Sequence, residues 1–311
     1  MSPVQRRKNL HLKREKKERK VRIIPLLLVF FALSLIIFLA FIFLFKGAWD
    51  GKSKLVLVTP TTRGEILVSS FDPEGGKITT LKIPGNTQLA VSRELGSWKA
   101  KSLWQLGLNE GLDGKLLSES MAINFHLPVT FWGEEKMNGF ANGGFLPIVK
   151  AILFLKKTNL GLREKLKLAL FSLSVGAGGR ETIDLEKTNC LKKVHLTDGE
   201  EGFIPSGLTG GKILLAFSDT ALSQRNLKVS IKDATGRYQE AEIVGGVVEV
   251  IGAKVASITR SEEEKIDCEV SGKDELLITK IVSIFSCKKV KMQEDNFDVV
   301  IKLGSEFAKR F

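Results

Sequence analysis

The stretch that decides the fold is "LVLVTPTTRGEILVSSFDPEGGKITTLKIPGNTQLAV", Leu55–Val91. Three β-runs lie in it or at its edge: "KLVLVTP" (Lys54–Pro60), "GEILVSSFD" (Gly64–Asp72) and "KITTLKIP" (Lys77–Pro84). Each is rich in Val, Ile, Leu and Thr, and each ends in turn chemistry, most clearly at "PEGG". Together they predict a β-meander that opens a mixed sheet. Pro84, Gly85 and Asn86 are turn residues, and a second short strand follows them.

Working outward, the period changes after residue 100. "AKSLWQLGLNEGLDGKLLSESMAINF" carries Leu103, Leu106, Leu116, Leu117 and Met121 at helical spacings, interrupted at Gly111–Gly114. This predicts two short helices around a turn. "LPVTFWG" (Leu127–Gly133) alternates like a strand, and "FLPIVKAILFLKK" (Phe145–Lys157) is apolar and helical. "LGLREKLKLALFSLSV" (Leu160–Val175) is amphipathic, with Leu162, Leu166, Leu170 and Leu173 on one face. That face is expected to turn toward the core; rest on a membrane surface is the rarer alternative. Phe217–Asn226, "FSDTALSQRN", reads as a domain boundary.

The last 85 or so residues predict a compact β-α-β-β-α-β unit with a final strand. "LKVSIKDATG" is a strand. "YQEAEIVGGVVEVIGA" is a helix with Ala241, Val244, Val248 and Ile251 inward and Gly252 as its stop. "KVASITRS" and "KIDCEV" are strands, "KDELLITKIVSIFS" a second helix, and "CKKVKMQ" and "FDVVIKLG" the closing strands.

The charge sits at the other end. The 311-residue chain carries a net +12, and Arg6–Arg22 holds ten Lys and Arg against Glu15 and Glu18, leaving +4 for the rest. Next comes "IIPLLLVFFALSLIIFLAFIFLF", Ile23–Phe45, with no charged residue. As a helix this run is about 35 Å long, enough to cross a bilayer. It is longer than a signal-peptide core, and "KGAWDGKS" is a poor cleavage site. The positive flank then places the N-terminus in the cytoplasm and the bulk of the chain outside, at the plasma membrane. The basic tail is a topology determinant that rests on membrane lipid. No base-reading module follows it, so nucleic acid is not an expected partner.

The predicted organisation is therefore α/β throughout. A basic cytoplasmic tail (1–22) leads into a transmembrane helix (23–45) and a linker (46–53). A mixed-sheet extracytoplasmic domain (54–222) and a small C-terminal domain (226–311) follow.

Few residues carry obvious chemistry. His11, His126 and His195 are far apart in the chain, which speaks against a zinc site or a His-based triad. No nucleophile elbow or phosphate-binding loop occurs. Cys268 lies mid-strand and Cys287 opens the strand that returns beside it. They are either a disulfide or two buried small side chains, and Cys190 stands alone.

The opening block resembles the LytR-CpsA-Psr family of envelope proteins. "LVLVTPTTRGEILVSSFDPEGGKITTLKIPGNTQLAV" follows that family's strand, sugar-phosphate loop, strand and Ser-Ile-Pro-Arg-Asp-Thr signature. The end of the chain, from "VSIKDATG" to "DVVIKLG", is similar to the LytR C-terminal domain. The resemblance implies a single-pass bacterial membrane protein with a signal anchor. It also implies transfer of glycan from polyprenyl pyrophosphate to an envelope acceptor, with arginines and a carboxylate-held divalent ion on the pyrophosphate. Here Gly85 stands at the signature arginine and Asn86 at the aspartate, and an early family aspartate falls at Glu65 or Thr59. Arg63, Glu65, Lys82 and Arg93 are the remaining candidates to bind such a ligand; ordinary surface charge is their other reading. No catalytic residue and no resident metal is assigned, with Mg²⁺ implied only if the chain is active. The expected role is binding or scaffolding in envelope biogenesis, with a glycan, polyprenyl pyrophosphate or another envelope protein as partner. Active transfer is the alternative.

Overall fold

The computed structural model describes residues 29–37, 49–153, 157–207, 210–237, 239–291 and 296–311. The chain divides into two units, 1–47 and 48–311. In the first, residues 29–37 are helical, and their large apolar side chains, Val29, Phe30 and Ile37 among them, are exposed. The rest of the expected membrane span and all of the basic tail lie outside the described residues. Among the described residues, no helix is long and apolar enough to cross a membrane.

The second unit begins with the predicted meander. β1 (Leu55–Pro60), β2 (Ile66–Asp72) and β3 (Lys77–Ile83) pair antiparallel, Val58 opposite Val68 and Val68 opposite Leu81. Two short strands follow, β4 (Gln88–Ala90) and β5 (Ser97–Lys99), which pair with each other. β6 (Phe131–Trp132) adds parallel to β1, and β7 (Arg180–Asp184) parallel to β3, giving a mixed sheet in the order β6-β1-β2-β3-β7.

β1 is buried along nearly its whole length because both faces of this sheet are covered. Val56, Val58, Ile66, Val68, Leu81 and Ile83 point to one side. There they meet α1 (Ala100–Asn109) and α2 (Lys115–Phe125) through Leu103, Leu116, Leu117 and Met121. Leu55, Leu57, Phe71 and Ile78 point to the other side, against Phe140 and Ile148. That second layer is α3 (Asn138–Asn142), α4 (Phe145–Leu153) and α5 (Leu162–Ser174). The alternation of these two sets along each strand is the period-2 signal of the sequence made visible.

One helix face is reversed from the sequence expectation. α5 buries Glu164, Leu168, Ala169 and Ser172, and turns Leu162, Leu170 and Leu173 outward. A second deviation is the strand expected over Leu127–Gly133, which shrinks to the two residues of β6.

After a hairpin of β8 (Leu191–His195) and β9 (Glu201–Pro205) come α6 (Gly211–Phe217) and the short α7 (Thr220–Ser223). The second sheet then forms from β10 (Lys228–Ala234), β11 (Lys254–Arg260), β12 (Cys268–Gly272), β13 (Lys288–Lys289) and β14 (Val299–Gly304), ordered β11-β10-β14-β12-β13. α8 (Glu240–Ile251), α9 (Glu275–Phe285) and a closing α10 (Ser305–Arg310) accompany it. Ala241, Val244, Val248 and Ile251 all pack inward, and Gly252 ends α8 at φ +115°, a conformation that favours glycine. α10 was not anticipated from the sequence; its Phe307 and Phe311 stack on each other and meet Phe285 edge-on.

The two sheets are joined at the segment read from sequence as a boundary. Asp219 is buried and accepts hydrogen bonds from the backbone of Lys54 (3.1 Å) and from the Lys280 ammonium (3.0 Å). Lys280 also donates to the Lys54 carbonyl (2.9 Å), while the Lys54 ammonium meets Asp72 (3.2 Å). β1, α7 and α9 thus share one buried ionic knot.

Candidate functional site

The turn after β3 holds Gly85 and Asn86, the two positions set against a charged signature in the sequence comparison. Thr87 donates its N–H to the Pro84 carbonyl (3.1 Å), closing the turn, and Lys101 donates to the Gly85 carbonyl (3.0 Å). The β1–β2 loop comes down on this turn. A Cβ placed on Gly85 would lie 2.6 Å from the Gly64 carbonyl oxygen and 3.3 Å from the Lys101 Cβ. Real Cβ atoms do not approach a backbone oxygen so closely, so the position excludes every side chain unless the Gly64 backbone moves. Gly64 itself sits at φ +81°, and a Cβ there would meet Lys101 at 2.8 Å. Two glycines back to back are what let the loop and the turn touch.

Asn86 is equally occupied. Its Nδ2 donates to the Glu201 carbonyl (3.1 Å), and its own carbonyl accepts from Phe203 (3.3 Å). The side chain therefore fastens the turn to the β8–β9 hairpin. A Cβ on Gly202 would fall 2.5 Å from the Asn86 oxygen, so the hairpin too is pressed against this turn.

The candidate ligand residues separate into two places. Arg63 and Glu65 line a pocket of about 450 Å³ between the β1–β2 loop and the α3–α4 segment. Lys82, on the neighbouring strand, reaches Glu65 at 2.9 Å and Asp184 on β7 at 3.9 Å. Its hydrogen bond to Glu65 holds the ammonium above the ordinary lysine range, and the nearby carboxylates add to this. Arg93 stands elsewhere, at φ +63°, pairing with the buried Glu119 of α2 (3.3 Å), which Ser92 also reaches (2.6 Å). Its role there is to satisfy a buried carboxylate.

Sequence reading overlooked the far wall of the pocket. Glu135, Lys136, Asn138, Asn142 and Lys150 line it. Asn138 accepts from the Thr59 hydroxyl, so the other candidate position for the early family aspartate is bonded inward. Glu135 accepts from both the backbone and the hydroxyl of Thr62, 2.9 Å each. The signal for this wall was the polar run "EEKMNGFANGG", which has no periodicity to mark it.

The donor set does not fit a divalent ion. Of the pocket's two carboxylates, Glu65 is engaged by Lys82 and Glu135 by Thr62. Among the described residues no group of three or more His, Cys, Asp or Glu is arranged to hold a metal. What the pocket offers is Arg63, Lys136 and Lys150 with amide and hydroxyl groups, a basic lining suited to hydrogen-bonding a polar or anionic group.

Cys268 and Cys287 are disulfide-bonded, their Cα atoms 4.5 Å apart, and Cys190 is a buried free thiol. The bond lies in the core of the second sheet, away from the pocket.

No protein-family profile matches the chain, and no curated protein matches it. Solved structures do. TagV of B. subtilis is similar at 12% identity and a TM-score of 0.37, over 51% of this chain and 92% of that one. TagT of B. subtilis is similar at 14% identity and 0.36, over 52% and 88%. The LytR-CPS2A-psr family protein YwtF (TagT), solved with bound octaprenyl pyrophosphate lipid, is similar at 14% identity and 0.36, over 52% and 87%. At these scores the likeness carries no functional weight, and the chemistry has to come from the residues of this chain.

Proposed function

We propose that this chain is a membrane-anchored, extracytoplasmic envelope protein that binds or scaffolds rather than catalyses. The observation that carries the reading is Gly85. The position aligned with the signature arginine is not merely uncharged; the Gly64 carbonyl closes the space a side chain would need. Asn86, at the signature aspartate, is committed to the β8–β9 hairpin. The fold's loop is kept and its charged ligands are replaced by packing. Anchoring rests on the uncharged Ile23–Phe45 run and its basic flank, and placement outside follows from the same asymmetry.

The pocket beside Arg63 is the proposed binding site, and a glycan or a lipid-linked phosphoglycan is the class of ligand. Arginine supplies a bidentate donor for phosphate, and the amides and hydroxyls around it suit sugar hydroxyls. The second reading, active transfer from polyprenyl pyrophosphate, has one observation in its favour: Arg63 and Glu65 share a pocket and Lys82 reaches it. Against it, Glu65 is already neutralised by Lys82.

The test uses the full chain in nanodiscs with octaprenyl pyrophosphate, the lipid held in the YwtF (TagT) structure, with and without Mg²⁺. Binding that is independent of Mg²⁺ and weakened by Arg63→Ala, with no transfer from a lipid-linked glycan, is the expected result. Mg²⁺-dependent transfer lost in Arg63→Ala or Glu65→Gln would overturn the non-catalytic reading.

A further inference from the structure

The reversed face of α5 has no role in the site described above. α5 turns Leu162, Leu170 and Leu173 to the surface, and α4, packed against it, turns out Phe145, Leu146 and Leu153. These six side chains are 46–69% exposed. Single exposed leucines need no explanation, but six large apolar side chains on two adjoining helices do.

The exposed charges on these two helices are of one sign. The acidic residue on these two helices is Glu164, which is buried, whereas Lys150, Arg163, Lys165 and Lys167 are all basic. Arg163 is half-buried and Lys167 is engaged with the 49–50 backbone, but an apolar face whose helices carry exposed or half-exposed charge of basic sign only is the pattern of a helix that lies in a lipid interface and favours anionic headgroups. A protein partner of the same shape would not require the uniform sign.

The chain itself supplies a second, independent observation. Lys167 of α5 donates to the carbonyls of Trp49 (3.1 Å) and Asp50 (3.0 Å), and Trp49 is buried in the same core as Leu168. α5 thus grips the first described residues of this unit. The uncharged run Ile23–Phe45 ends four residues before Trp49, a chain length of at most about 14 Å. The proposed anchor and the segment that α5 binds are thus close neighbours along the chain.

We propose that the exposed face of α4 and α5 inserts into the outer leaflet of an anionic membrane, as a monotopic contact distinct from the anchor. The cost of leaving these apolar side chains in water is what such a contact removes, and Lys165 would meet the phosphates.

The experiment places an environment-sensitive fluorophore on Leu170→Cys in the full chain, with Glu262→Cys on the β11–β12 loop as the control. Native cysteines do not interfere, since Cys190 is buried and the other two are bonded. The chain is reconstituted in phosphatidylglycerol vesicles carrying a doxyl-labelled lipid. A blue-shifted Leu170 probe, quenched by doxyl lipid at least about twofold more than the Glu262 probe and less so in phosphatidylcholine, is expected. A water-like, unquenched Leu170 probe overturns the proposal. So does a blue shift without doxyl quenching that grows with protein density, which would mean that a second copy covers the face. Carbonate extraction of the same vesicles reports separately on the 23–45 anchor. A failed anchor with a quenched probe would remove the anchoring reading and leave this contact standing; an intact anchor with a water-like probe would do the reverse.

Discussion

Gly85→Ala is the sharpest single test of how the signature turn is built. The backbone at Gly85 does not have a positive φ, so an alanine there incurs no conformational strain. On backbone grounds alone the change would stabilise the protein, by about 0.4–1 kcal/mol, through a less flexible unfolded chain. The added methyl, however, meets the Gly64 carbonyl oxygen at 2.6 Å and its carbon at 3.0 Å, both backbone atoms that cannot swing aside. Overpacking of this kind costs about 1–3 kcal/mol. The net expectation is a loss of roughly 1–2 kcal/mol, which for a unit of this size lowers the melting temperature by about 2–8 °C. Gly178→Ala is the matched control, since its Cβ would meet nothing within 4 Å and its φ is ordinary, so it should be neutral or mildly stabilising. Thermal unfolding of the full chain in detergent, followed by near-UV circular dichroism, reads both. If Gly85→Ala melts with the wild type, the Gly64 loop yields to a side chain and the claim that packing excludes a side chain at this turn is refuted. Gly85→Arg should be at least as destabilised and should gain no affinity for pyrophosphate.

Three further outcomes follow from the interior. Asp219→Ala leaves the Lys280 cation and the Lys54 N–H buried without their acceptor, so it should cost about 3–5 kcal/mol, and adding Lys280→Met should recover part of that loss in a double-mutant cycle. Cys268→Ser with Cys287→Ser removes a cross-link over 19 residues and should cost about 3 kcal/mol by denaturant titration, while Cys190 should resist maleimide until the chain unfolds. His126 ends α2 at φ +54° with its ring against Gly246 of α8, and burial holds its imidazole below the ordinary histidine range despite Glu249 nearby. The unfolded chain therefore binds the proton first, so stability is complete above pH ~6.5 and falls as the pH drops below it. His126→Asn, which tolerates the left-handed backbone, should flatten the melting temperature between pH 7.5 and 5.5; an unchanged slope would show that other groups carry it.

Much of the fold was legible in the sequence because it is governed by local periodicity. β1–β3 announce themselves through β-branched runs closed by turn residues, and α8 through Ala241, Val244, Val248 and Ile251 at helical spacing. The same logic failed on α5. Its leucines form the cleaner stripe, and a stripe says only that one face is apolar, not what covers it. Here Leu168 and Ala169 share a core with Phe140 and Trp49, and Lys167 beside them donates to the Trp49 carbonyl. The pocket was half legible: Arg63 and Glu65 could be named, but Glu135 and Asn138 come from a non-periodic run that only the crossing of α3 over the sheet brings opposite.

The sequence by itself determined the α/β class, the uncharged run with its basic flank, and the uncharged turn residues Gly85 and Asn86. Those are properties of residue type and spacing, which the linear chain carries in full. Only the tertiary structure decided how tightly that turn is packed. The approach of Gly64 to Gly85, the capture of Asn86 by a hairpin more than a hundred residues later, and the outward turn of the α5 leucines are all long-range contacts. No local rule sets them, because each depends on which distant surfaces the folded chain presses together.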